Sequence, residues 1–111
     1  MIKKLTEQYI SCFNNKDIQG VGCLLSEGFI LEDPVVKQVI GKANALNAIK
    51  SIFDSNEKLQ FEAKNIFVDG AISIIEFSLI LNEHVLSGAD IVEWDPDGKM
   101  INLRAYLDVP K

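Results

Sequence analysis

The sequence predicts one α+β domain in which about three helices, placed early in the chain, cover one face of a twisted antiparallel sheet. Three observations carry this. Apolar residues recur every three or four positions as far as Asn56 and at every second position after it. The links in the second part are short and rich in turn formers. The chain has 111 residues, 48% of them hydrophobic, which is core enough for a single domain.

Ile2, Leu5, Tyr9, Cys12 and Phe13 share one helical face, so a first helix is predicted over residues 2–13. Asn14 to Asp17 breaks it, and Asp17 is placed to cap a short second helix with Ile18, Val21, Leu24 and Leu25 turned inward. Gly20 and Gly22 weaken that helix. Residues 29–33 form an extended segment closed by Pro34, which biases Asp33 away from helix. Gly41 precedes a third helix over 42–53, whose inner face is Leu46, Ile49, Ile52 and Phe53.

Strands follow over 59–68, 72–81, 86–94 and 100–108. Asp69-Gly70 and Asp95-Pro96-Asp97-Gly98 are strong turn sequences; Asn82-Glu83-His84 is a weaker loop. An antiparallel meander is expected. Alternation turns Ile75, Phe77, Leu79 and Leu81 toward the helices, and likewise Ile101, Leu103, Ala105 and Leu107. The opposite face mixes Ile74, Ile80, Ile91 and Met100 with Glu76, Glu93, Arg104 and Tyr106. That composition predicts a homodimer through the outer sheet face.

Net charge is −5 and the eleven basic residues are scattered, so a phosphate-neutralising stripe is missing and nucleic acid is not an expected partner. No apolar run reaches membrane-spanning length, and the first residues turn polar too soon for a signal peptide. The expected location is cytoplasmic, without membrane association. Cys12 and Cys23 both lie in apolar-periodic stretches and are expected to be reduced core thiols. Gly-rich phosphate loops, paired CxxC, HExxH and GxSxG are absent from the sequence. The single histidine, His84, falls in a predicted loop, so neither a metal site nor a cofactor is expected. Chemistry then rests on carboxylates, tyrosines or a thiol.

Three polar residues fall on apolar faces. Tyr9 shares its side of the helix with Leu5, Cys12 and Phe13; Asp33 shares its strand side with Phe29 and Leu31; Asp90 shares its side with Leu86, Val92 and Trp94. Two carboxylates pointing into a core are costly unless they have work there. Each also has a plain structural reading: a turn-starter before proline, a rim tyrosine, a frayed strand.

Glu7-Gln8-Tyr9, Phe13 to Asp17, Leu31-Glu32-Asp33-Pro34-Val35, Gly41, Gly88-Ala89-Asp90, Asp97-Gly98-Lys99 and Leu103-Arg104-Ala105 together cover most of the chain. In order and spacing they resemble the bacterial ketosteroid isomerases and their SnoaL-like relatives, in the nuclear-transport-factor-two-like superfamily. The resemblance implies a cone-shaped, cystatin-like barrel with a strongly curved sheet. It also implies the proton-transfer mechanism known for ketosteroid isomerases: Asp33 as shuttling base, with Tyr9 and a protonated Asp90 as the oxyanion hole. Phe29, Phe53, Phe77, Trp94, Leu103 and Leu107 would wall an apolar pocket for a small hydrophobic ligand. The implied activity is isomerisation of a small apolar carbonyl compound; a non-catalytic ligand-binding or assembly module, and a SnoaL-like cyclase or hydratase, share the same features. Two departures stand out: the Asp33–Gly41 segment is one residue shorter, and Ile49 stands where the isomerases carry a supporting tyrosine.

Overall fold

A computed structural model describes residues 1–33 and 37–108. Pro34 and the two residues after it lie outside that set, as do residues 109–111. The chain runs α1 (Ile2–Asn14), α2 (Ile18–Leu24), β1 (Leu25–Asp33), β2 (Lys37–Ile40), α3 (Lys42–Ser55), β3 (Leu59–Asp69), β4 (Ile72–Leu81), β5 (His84–Trp94) and β6 (Met100–Asp108). The six strands form one mixed sheet, ordered β2-β1-β6-β5-β4-β3, which curves around the three helices without closing into a barrel.

The helices follow the apolar period. α1 buries Thr6, Tyr9 and Phe13, and α3 buries Ala45, Ile49 and Phe53. Asp17 caps α2, its carboxylate accepting the Gly20 backbone N–H at 2.9 Å. Leu25 is an exception: it is extended and opens β1, four residues earlier than the strand expected from Phe29. Its pairing with Met100 of β6 outweighs the weak helical preference of a segment with two glycines. Among the described residues no helix is long and apolar enough to cross a membrane.

β3 to β6 form the expected meander, and Ile75, Phe77 and Leu79 are buried against the helices. Gly70 has φ +61 in the two-residue turn joining β3 to β4, a conformation glycine adopts without steric cost. β5 begins at His84, which lies opposite Leu81 across the short Asn82-Glu83 link; the histidine is therefore an exposed strand end and not a loop residue. Two strand relations were invisible to periodicity. β2 has only four residues and no alternation, and it pairs antiparallel with β1. β1 pairs in parallel with β6, tying the first half of the chain to the last strand.

One expectation is reversed in β6. Glu93 pairs with Asn102 but Trp94 pairs with Met100, so Ile101 is an extra residue, a β-bulge. Met100 consequently points into the core at 0% exposure, and Ile101 points out at 41%. From Asn102 the alternation resumes and Leu103 is buried. Both cysteines are free, but only Cys12 meets the core, half-buried and packed against it from α1; Cys23 is exposed, because α2 turns Val21 and Leu24 inward instead.

Candidate functional site

Three elements bring the predicted polar residues together. The helical period puts Tyr9 on the buried face of α1, one turn from Phe13. Asp33 ends β1, two residues beyond the inward-facing Leu31. Asp90 sits mid-strand in β5, between Ile75 of β4 and Ala105 of β6. Continuing the Glu32–Arg104 register by one residue brings Asp33 level with Ala105, so the two carboxyls flank one small side chain on the inner face. Tyr9, Asp33 and Asp90 all line a single cavity of about 80 Å³.

Of the expected wall residues, Phe29, Phe77, Leu103 and Leu107 line this cavity; Phe53 and Trp94 do not. Phe53 packs behind it, edge-on to Phe13 at a centroid distance of 5.1 Å. Trp94 is engaged elsewhere in the core, donating its Nε1–H to Ser73 Oγ at 3.0 Å. The Ser73 hydroxyl lies 2.8 Å from that of Thr6, which also reaches the Ile2 carbonyl at 2.8 Å. Periodicity identifies Phe53 and Trp94 as inward but cannot say which part of the interior they reach. Phe13, Ile49 and Phe61 are among the other wall residues. Phe61 alternates with Leu59 and Ala63, a sequence signal that it faces inward; its meeting with α1 is decided only by the curvature of the sheet.

Burial gives the site its electrostatics. Asp90 is only 5% exposed, and loss of hydration, followed by the charge of Asp33, pushes its pKa up to about 7. Burial, and then the neighbouring Asp90 carboxylate, holds the Tyr9 phenol well above its ordinary range, so it is a proton donor at any physiological pH. A ligand oxygen placed between the Tyr9 hydroxyl and a protonated Asp90 would meet two donors. A wider depression of about 830 Å³ lies beside Glu32, Glu76, Arg104 and Tyr106, with Asp33 at its edge. It has charged walls, whereas the buried polar pair belongs to the small cavity. No three His, Cys, Asp or Glu among the described residues are grouped to hold a metal ion.

The SnoaL-like domain family matches residues 6–103, a span that contains Tyr9, Asp33 and Asp90. The chain belongs to the SnoaL-like family. No curated relative matches the sequence. Among solved structures it is similar to an NTF2-like protein of unknown function from Cytophaga hutchinsonii, at 16% identity and a TM-score of 0.85, covering 97% of this chain and 90% of that one. It is also similar to a candidate ketosteroid isomerase from Kribbella flavida, at 19% identity and a TM-score of 0.83, over 99% and 79% of the two chains. A third is a candidate SnoaL-like polyketide cyclase from Shewanella denitrificans, at 13% identity and a TM-score of 0.81, over 96% and 90%. These likenesses establish the nuclear-transport-factor-two-like fold of this SnoaL-like chain. Such low identities speak for the fold and not for a reaction.

Proposed function

We propose that the protein catalyses intramolecular proton transfer in a small hydrophobic carbonyl compound, as an isomerase of the ketosteroid-isomerase type. The observation that carries this reading is the convergence of Tyr9, Asp33 and Asp90 on one apolar cavity, with Asp90 held near neutrality by burial. Asp33 takes a proton from the carbon beside the carbonyl, and the electron pair moves onto the carbonyl oxygen. Tyr9 and protonated Asp90 donate to the resulting enolate oxygen. Asp33 then returns the same proton to the far carbon of the shifted double bond, so no external acid or base is consumed. Preorganised donors in a water-poor site favour the charge that develops only in the transition state. The steps use carboxyl and phenol groups alone.

A panel of β,γ-unsaturated ketones, followed by the absorbance of the conjugated product, tests the proposal. Asp33→Asn should lower kcat by about two to four orders of magnitude with little change in KM. Unimpaired turnover in that variant would remove Asp33 as the base. Ligand affinity without turnover in the parent would favour the non-catalytic binding module, and turnover confined to polyketide-like substrates would favour a cyclase.

A further inference from the structure

The size of the cavity carries the substrate question further. Its volume of about 80 Å³ is roughly half that of an apolar cavity of ~150 Å³ that accepts benzene. By that proportion its walls enclose about three or four heavy atoms, which is a carbonyl group and the carbons on either side of it. One part of its wall is a cluster of packed rings. Phe61 lies 5.0 Å from Phe77, 5.1 Å from Phe13 and 6.4 Å from Tyr9, centroid to centroid, and all four are buried. Ile49 of α3 is another buried wall. Asp33, Phe77, Ala105 and Leu107 border both this cavity and the wider depression, and of these Asp33, Ala105 and Leu107 are half-exposed. The part of a longer ligand that the cavity cannot hold can extend past them.

Resting on the acid/base reading above, we propose that the substrate is an open-chain carbonyl compound, a short ketone or aldehyde with an acidic carbon, and that Phe61 sets the size limit that turns fused-ring ketones away. A fused-ring ketone carries too many atoms around its carbonyl to reach Tyr9 and Asp90 without displacing a packed ring, and close-packed interiors resist such displacement. Phe61 is the natural limit because it packs against the other three rings and, unlike Phe77, does not border the wider depression.

The test is exchange of the protons next to the carbonyl in deuterium oxide, read by proton NMR, for butanone and for the fused-ring ketone decalone. The parent, Asp33→Asn, Phe61→Ala and Phe61→Leu are compared, with circular dichroism identifying the folded variants; Phe61→Leu keeps an apolar side chain in case Phe61→Ala does not fold. The parent should exchange butanone about a hundredfold faster than Asp33→Asn does, and decalone no faster than Asp33→Asn does. Shortening Phe61 should raise decalone exchange about tenfold relative to butanone. If the parent exchanges decalone as fast as butanone and Asp33→Asn abolishes both, the size limit is overturned while the acid/base reading stands. If the parent exchanges butanone no faster than Asp33→Asn, that reading falls and this proposal with it. Unchanged discrimination in a folded Phe61 variant removes Phe61 from the role.

Discussion

Asp90 links the proposed chemistry to stability. Its folded pKa of about 7 stands above the ~3.9 expected for the unfolded chain, so between those values the native state binds more protons than the unfolded state. Its contribution is complete below about pH 4 and is lost as pH rises through about 7. Three pKa units correspond to roughly 4 kcal/mol across that window. Asp90→Asn cannot ionise, so urea unfolding of the variant at pH 5 and pH 8 should show a flatter decline and a higher stability than the parent at pH 8. A parent whose stability rises over that range would contradict the buried, protonated carboxyl. The same titration should govern turnover: as an oxyanion donor Asp90 must be protonated, and kcat/KM should fall above about pH 7, a limb that Asp90→Asn should lack.

Strands and helices are held in register by a few local devices. The bulge at Ile101 decides which of two adjacent apolar residues is core. Met100→Ala should therefore cost about 2–5 kcal/mol, while Ile101→Thr should stay within about 0.5 kcal/mol, both read by chemical denaturation; equal costs would contradict the bulge. The Thr6–Ser73–Trp94 hydrogen bonds tie α1 to β4 and β5 inside the core. Ser73→Ala leaves the buried indole N–H without its acceptor and should cost about 1–3 kcal/mol. Gly88 is required for a different reason: a β carbon there would collide with the Tyr106 carbonyl oxygen, so β5 and β6 approach too closely for any side chain.

At the scale of the whole molecule, the open sheet leaves its outer face uncovered by its own helices. Pairing aligns Phe67, Ile74 and Ile91 across β3, β4 and β5, and Arg104 of β6 continues the row, held to Glu93 at 2.7 Å. Phe67 is 56% exposed and Ile72 lies one row away at 36%. An apolar row bordered by charges of both signs is self-complementary under a two-fold axis. We propose that this face forms a homodimer. Light scattering should report about twice the 12.4 kDa chain mass, and Ile74→Glu should return it to one chain mass without loss of fold. A monomeric parent at micromolar concentration would remove the interface.

The sequence by itself determined the helices, the meander and the inward orientation of Tyr9, Asp33 and Asp90, because helical and strand periods are local properties of the backbone and appear wherever one face is buried. Tertiary structure decided the rest. The parallel pairing of β1 with β6, the four-residue β2 and the bulge at Ile101 depend on partners far away in the chain, and a one-residue insertion reverses a face without altering composition. The same limit governs the pocket. The helical period turns Phe53 inward and strand alternation does the same for Trp94 and Phe61, but only the curvature of the sheet seats Phe61 against Tyr9 and leaves Trp94 with Ser73. The volume that remains is set by packing among residues that no local pattern relates to one another.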